Sequence, residues 1–449
     1  MRFYFIETWG CQMNQHDSEL IEGQLRAGGM EAARDASEAD LVILNTCSVR
    51  ERPVQKIISR IGVLEKQARP PVIGVCGCVA QQEGASLLDR SKRVGFVLGP
   101  GQIGRVGEAL RNLVEGERPV LTDFDAEREH GFETVFRKSA TRGMVTVVEG
   151  CNEFCTFCVV PYTRGREVSR PQNEVLAEVQ HLAARGLKEV ELLGQTINAY
   201  SCPMTGAGFA DLLEAVVATP GLERVRYITS HPRNFDDRLI AVLAAHPKVS
   251  RYLHLPFQAG SNRILERMHR RYTREEYLDL VARIRSAVPD INISTDVIAG
   301  FPGETEEDFQ QTLEILDQTR FGQVFAFAFS PRPRTPASRY RQQLPEDVKK
   351  ERLHRLFSLT DGISLELNQA LVGRTLAVLI DGPSRRDKEH WQGRGEDNRV
   401  VNFPKSGHED VGDIVEVKIL RAGPHSLAGE VVGGSGRLPV FAQAAGGAA

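Results

Sequence analysis

Over the first 117 residues, short runs of Val, Ile, Leu and Phe alternate with stretches in which apolar positions recur every three or four residues. Residues 2–8, 40–46, 71–77 and 93–99 read as strands, and 16–29 and 50–68 as amphipathic helices. Strands that are apolar throughout, alternating with helices, predict a parallel sheet covered on both faces. Residues 117–140 are charged, with little period, and read as a linker.

A second alternating series follows, with strands at 144–150, 188–194, 224–230, 250–256, 291–300 and 322–330 and helices such as 172–186 and 273–288 between them. Six β/α units predict a partial (β/α)6 barrel, in which chemistry gathers at the C-terminal ends of the strands. A polar helix over 345–370 leads out. From about Leu371 the pattern changes to short strands at 374–381, 399–403, 413–422 and 426–433, separated by Gly, Pro and Asp turns, which predicts a small β-barrel. The tail 442–449 reads as disordered. The expected fold class is α/β, with domains at 1–117, 137–367 and 370–437.

Composition narrows the class without naming a function. Of 449 residues, 41% are hydrophobic and 26% charged, as in ordinary soluble proteins. No apolar run approaches the ~18–20 residues that cross a bilayer, and the first residues lack the pattern of a secretory signal. A cytoplasmic chain with no membrane partner is expected. The net charge of -3 gives no global sign of nucleic-acid binding, which has to come from local patches.

The eight cysteines carry the candidate chemistry. In a long cytoplasmic chain they are metal ligands or free thiols rather than disulfides. Cys151, Cys155 and Cys158 form C-x3-C-x2-C directly after a strand. Three thiolates on one loop can hold three irons of a 4Fe-4S cluster and leave the fourth open, as open metal positions are where substrates bind. The alternative is a zinc loop with a distant fourth ligand. Cys11, Cys47 and Cys78 each end a strand of the first sheet, so three more thiolates can converge on one edge; the alternative there is core thiols. Cys76 reads as a small buried hydrophobe, Cys78 as the ligand, and Cys202 as a loop thiol.

Other motifs compete. Gly99, Gly101 and Gly104 match G-x-G-x-x-G, a dinucleotide signature, but they follow the last strand of the domain rather than the first. An RNA-binding protein with structural zinc is a second reading, distinguished by metal analysis. His231 and His254 end barrel strands and suit either the pocket or the core.

The stretch from Cys151 to Glu167 resembles the cluster loop of radical S-adenosylmethionine (SAM) enzymes. The chain as a whole is similar to the radical SAM methylthiotransferases, in particular the branch that acts on tRNA. ETWGCQMN, NTCSVRE, HLPFQAGSNRILERMHRRYT, DVIAGFPGETEEDF, FSPRPRTPA and RVVNFP carry the similarity along nearly the whole length; LLGQTINAY departs at Thr196 and Ile197. The resemblance implies an N-terminal methylthiotransferase domain, a radical SAM core and a C-terminal TRAM barrel that binds RNA. It implies two 4Fe-4S clusters, one on Cys11, Cys47 and Cys78 as the sulfur source, the other on Cys151, Cys155 and Cys158 with SAM at its open iron. SAM would serve as methyl donor and as source of a 5'-deoxyadenosyl radical. The reaction implied is methylthiolation of C2 of N6-isopentenyladenosine at position 37, beside the tRNA anticodon. Alternative substrates are a threonylcarbamoyl-modified tRNA adenosine and a ribosomal-protein aspartate. Gly194, Gln195 and Gly300 are the implied SAM contacts, and Arg164 and Arg166 the candidate RNA contacts. Expected partners are the tRNA anticodon stem-loop and an electron donor such as flavodoxin or ferredoxin, with the enzyme a monomer.

Overall fold

The computed structural model describes residues 1–48, 53–124, 132, 135–137, 139 and 141–433. Parts of the expected linker and the whole tail lie outside the described residues. The chain forms two compact units that cut across the expected segments: Met1–Lys138, Val148–Val168 and Arg332–Ser338 make one, and Ser139–Val147, Ser169–Pro331 and the chain from Arg339 onward make the other. Both cysteine triads therefore belong to the first unit.

That unit is built on a parallel sheet of order β2-β1-β3-β4-β5-β6, from β1 (Phe3–Trp9), β2 (Glu31–Ala32), β3 (Leu41–Thr46), β4 (Val72–Gly77), β5 (Val94–Leu98) and β6 (Val120–Leu121). Every residue of β3 and β5 is buried, because helices cover both faces. Val42, Leu44, Ile73 and Val75 meet Ile57, Ile61 and Leu64 on one face; Leu41, Ile43, Phe96 and Leu98 meet Ile21 and Leu25 on the other. Cys76 sits fully buried in this second core, in keeping with a small hydrophobe. β2 and β6 escape the sequence pattern because two residues show no period. The first helix, Gln12–Ala27, starts earlier than its apolar stripe suggests, with Cys11 as its N-cap.

After residue 140 the chain enters the second unit as β7 (Arg142–Thr146), then returns to the first for β8 (Val148–Glu149) and the cysteine loop. The single strand expected at 144–150 is thus split at Val147. β9 (Val168–Ser169) pairs with β8. The other expected barrel strands are β10 (Glu189–Leu193), β11 (Arg224–Tyr227), β12 (Tyr252–His254), β13 (Asn292–Ala299) and β14 (Gln323–Ala328). They form two parallel sheets, β11-β10-β7 and β12-β13-β14. A bridge from Val225 to Val249 and a 3.3 Å bond from the Ser230 N–H to the His254 carbonyl join the two across the break.

The helix Glu346–Gln369 leads to a closed five-stranded barrel of order β15-β16-β17-β19-β18. Its strands are β15 (Thr375–Pro383), β16 (His390–Arg394), β17 (Val400–Pro404), β18 (Ile414–Ala422) and β19 (Leu427–Gly433). β16 was not expected: its sequence, HWQGR, lacks an apolar alternation. The loop from Arg394 to Arg399 docks on the β/α core. Arg226, at 2% exposure, donates from Nε to Glu189 at 2.7 Å and from Nη2 to the Gly395 carbonyl at 2.9 Å. Asn292 donates to the Asp397 carbonyl at 2.8 Å. Glu189 and Asn292 open β10 and β13, so the loop covers the N-terminal ends of these strands. No helix among the described residues is long and apolar enough to cross a membrane.

Candidate functional site

Cys11, Cys47 and Cys78 follow β1, β3 and β4, which are adjacent in the sheet. Parallel direction places all three at one edge, beside the point where strand order reverses; ligands of open α/β sheets bind at such points. Cys11 caps the helix Gln12–Ala27, and Cys78 opens the helix Cys78–Glu83. Gly77 makes the second turn possible. Its φ is +89°, and a Cβ there would meet Asn45 Oδ1 and the Thr46 carbonyl at 2.6 Å.

The thiols contact one another. Hydrogen bonding with Cys11 and Cys78, together with burial, pushes the Cys47 thiol up. Those bonds, helped by the Arg164 charge, hold the Cys11 and Cys78 thiols below the ordinary range. A buried amide network braces them. Asn45 donates at 2.8 Å both to the Asn14 carbonyl and to Ser18 Oγ, Asn14 donates to Asn45 Oδ1 at 3.2 Å, and the Cys11 sulfur lies 3.4 Å from Asn14 Oδ1. Among the described residues no three Cys, His, Asp or Glu side chains are set at the spacing of a single bound metal ion. Three converging sulfurs, two of them biased toward thiolate, are the donor chemistry an iron–sulfur cluster needs.

Cys151, Cys155 and Cys158 lie on the loop between β8 and the short helix Val160–Thr163. Cys151 and Cys155 are buried and Cys158 is half-buried. The loop is held by bonds from the Cys151 N–H to the Gly165 carbonyl at 3.2 Å and from the Cys158 N–H to the Cys155 carbonyl at 2.9 Å, and Phe154 turns it at a left-handed φ of 48°. The Glu153 N–H points at the Cys151 sulfur from 3.5 Å. A backbone donor on a sulfur favours thiolate, so this loop also fits a cluster.

The two arginines beyond the loop part company. Arg166 is exposed, its guanidinium 5.1 Å from the centre of the Phe154 ring. Arg164 is buried. It is 2% exposed, with Nη2 on Asp17 at 2.6 Å and Nη1 3.5 Å from Glu149. The expectation that it meets RNA is corrected: a guanidinium closed in by two carboxylates has no face left for phosphate. Asp17 was missed by the sequence reading, although its place on the stripe of Ile21 and Leu25 (i, i+4, i+8) marks it as an inward acid. Arg170 and Arg270 are buried as well, Arg170 on Glu178 at 2.7 Å and Arg270 on the Pro256 carbonyl at 3.0 Å.

In the second unit, Gly194 is buried and Gln195 half-buried directly after β10. Gly300, after β13, has φ +73°, and a Cβ would strike Lys349 Cγ at 2.4 Å. Its N–H donates to Glu304 at 2.7 Å, and Thr305 and Asp308 close a capping box on the helix Glu306–Thr319. Gly300 thus makes a tight turn into this helix, with its N–H used within the protein. His231 is buried and edge-on to Tyr272, with its backbone bonded both ways to Asn198. It is a packed structural histidine. His254 shares a face with Ser294, 2.9 Å from its Nδ1, with Asp296, 3.5 Å from its Nε2, and with Phe325 in an edge contact. Phe327 continues this face, and the two rings are 36% and 52% exposed. The turn Pro100–Arg105, which holds G-x-G-x-x-G, follows the fifth strand of the sheet, away from the switch point.

Comparison with known proteins finds matches along nearly the whole chain. Residues 3–99 match an uncharacterized protein family, UPF0004; residues 145–316 match the radical SAM superfamily and residues 369–432 the TRAM domain. A tRNA-2-methylthio-N(6)-dimethylallyladenosine synthase of Bdellovibrio bacteriovorus is 44% identical over 437 residues, covering 96% of each chain. Synthases of the same name from Carboxydothermus hydrogenoformans and an Acidovorax species are 44% and 45% identical over 96% of this chain and 99% and 97% of theirs. Among solved structures, the radical SAM methyltransferase TsrM of Kitasatospora setae aligns at a TM-score of 0.54 and 18% identity over 75% of each chain. The cobalamin-dependent radical SAM enzyme OxsB aligns at 0.51 and 12% over 79% of this chain and 56% of that one. At such identity the likeness shows the fold alone.

Proposed function

The chain belongs to the tRNA-2-methylthio-N(6)-dimethylallyladenosine synthases of the radical SAM superfamily, and from that membership we propose that it methylthiolates C2 of N6-dimethylallyladenosine at position 37 of tRNA. Near-complete coverage at 44% identity by relatives of that one activity carries the reading. The enzyme is a transferase that uses SAM and two 4Fe-4S clusters.

Cys151, Cys155 and Cys158 would hold one cluster, and Cys11, Cys47 and Cys78 the other. When bound, the first supplies the electron that cleaves SAM and the second supplies sulfur. This chain's own residues do the positioning. The amide network of Asn14, Asn45 and Ser18 fixes the N-terminal thiols, and the bonds of Cys151 and Cys158 shape the loop. Gly194 and Gln195 are proposed SAM contacts, as is Gly300 through its carbonyl and close backbone.

The face of β12–β14 suits the substrate. Phe325 and Phe327 offer half-exposed rings for an adenine and its apolar dimethylallyl group, where a threonylcarbamoyl group would bring a carboxylate. For the rest of the tRNA, Arg166 is a proposed contact. So is a cleft of about 690 Å³ on the C-terminal barrel, lined by Arg385, Arg386, His390, Asn402 and Arg421. A small electron-transfer protein such as flavodoxin or ferredoxin, a monomeric state and a cytoplasmic location complete the proposal.

Profiling the tRNA nucleosides of a deletion strain tests it. Loss of the 2-methylthio derivative with accumulation of N6-dimethylallyladenosine is expected. Loss of a threonylcarbamoyl-derived methylthio nucleoside, or of aspartate methylthiolation on a ribosomal protein, would assign the chain to the other branches.

A further inference from the structure

Arg164 follows the second cysteine triad by six residues and reaches Asp17, six residues after Cys11. Both ends lie in the same compact unit. The pair is 2.6 Å long with side chains 2% and 7% exposed, and Glu149 on β8 stands 3.5 Å from the other guanidinium nitrogen. Such a pair is costly to bury, and removing one partner leaves an uncompensated charge. It is therefore a poor stabiliser and a good registering device. Its charges also act where screening is weakest. The Cys11 and Cys78 sulfurs feel the guanidinium, and Cys78 feels Asp17.

We infer that Arg164 and Asp17 are positioning residues for the cluster on Cys11, Cys47 and Cys78: the ion pair pins the loop of the second triad to the helix that begins at Cys11, and its charge balance sets how readily the N-terminal cluster accepts an electron. This rests on the reading of those three cysteines as cluster ligands. The pair binds no substrate and transfers no proton. Burial pushes the Asp17 carboxyl up to about 7 against the pull of Arg164, so it is above that pH, where Asp17 and Glu149 are both ionised and the redox titration is run, that the group carries one net negative charge. Neutralising Arg164 makes it two and disfavours an added electron; neutralising Asp17 makes it zero and favours one.

The test is an EPR-monitored redox titration of the full-length, anaerobically reconstituted protein. The N-terminal signal is assigned by its absence from a Cys11→Ala/Cys47→Ala/Cys78→Ala variant. Arg164→Gln should shift the midpoint of that signal down and Asp17→Asn should shift it up, with iron content near that of the parent. Opposite shifts from two neighbouring substitutions are not what a loss of packing produces. If Arg164→Gln fails to retain the cluster, Arg164→Lys stands in, keeping the charge but not the fork: its midpoint should stay near the parent's while Asp17→Asn still moves it up. An unchanged midpoint in Asp17→Asn, or shifts of the same sign in Arg164→Gln and Asp17→Asn, would overturn the inference. Failure of the underlying reading looks different: the triple cysteine variant would then hold as much iron as the parent instead of half.

Discussion

Arg164 and Arg166 share a sequence context and not an environment. Both follow the cysteine loop, and charge together with that position gave them one expected role. Burial separates them, and burial here depends on Asp17, 147 residues away in sequence. No local pattern reports such a partner. The cysteines were legible for the opposite reason: C-x3-C-x2-C is local, and the other three end strands whose apolar runs are plain. Gly300 shows an intermediate case, since its place at the end of a strand was legible, whereas the Lys349 side chain against it was not.

Two outcomes are expected at this scale. Phe325→Ser with Phe327→Ser should raise the KM for tRNA carrying N6-dimethylallyladenosine at least several-fold, with SAM cleavage retained. Steady-state kinetics on that substrate and on unprenylated tRNA check it, because an equal change for both would mean the rings do not read the prenylated base. The second concerns acid. Burial, with Arg270, Arg233 and Arg271 nearby, depresses His231 to about 2. The unfolded chain binds this proton below its ordinary value near 6.5 and the folded chain does not. Stability from this group is therefore complete above pH ~6.5 and falls by about 1.4 kcal/mol per pH unit as pH drops toward the folded value. His231→Asn keeps an acceptor for the Arg233 N–H, now bonded to Nδ1 at 3.3 Å, and removes the titration. Denaturant unfolding at pH 5 and 7 should show a smaller difference in the variant than in the parent.

At the scale of elements, the parallel sheet does the gathering. Three consecutive neighbours, β1, β3 and β4, deliver three thiols to one edge because all run the same way. The sequence pattern revealed those strands, as it did the six of the barrel. It missed β16, whose residues earn their place through a closed ring of hydrogen bonds rather than through an apolar face. It also missed how firmly the C-terminal barrel is tied to the β/α core. Removing the chain after about Leu371 would strip the Gly395 carbonyl from Arg226 and the Asp397 carbonyl from Asn292. Exchanging such protein bonds for bonds to water costs about 0.5–1.5 kcal/mol each. The truncated protein should bind tRNA more weakly and also melt lower. Arg421→Ala, at an exposed position, isolates the binding effect: Tm should be unchanged while the salt slope of tRNA affinity falls by about 1. Affinity and slope equal to the parent's would remove this cleft from the tRNA interface.

For the whole molecule, the proposed function gives the two cysteine triads, both in the first compact unit, separate work on one substrate. The central claim is that SAM cleavage needs the 151–158 loop alone, whereas methylthiolation also needs the N-terminal triad. The most direct measurement is mass-spectrometric quantification of 5'-deoxyadenosine and 2-methylthio product from reconstituted Cys155→Ala and Cys47→Ala proteins, given SAM, reductant and tRNA bearing N6-dimethylallyladenosine. Cys155→Ala should yield neither compound, and Cys47→Ala should yield 5'-deoxyadenosine without methylthio product. Methylthio product from either variant, or no SAM cleavage by Cys47→Ala with its loop cluster spectroscopically intact, would contradict it.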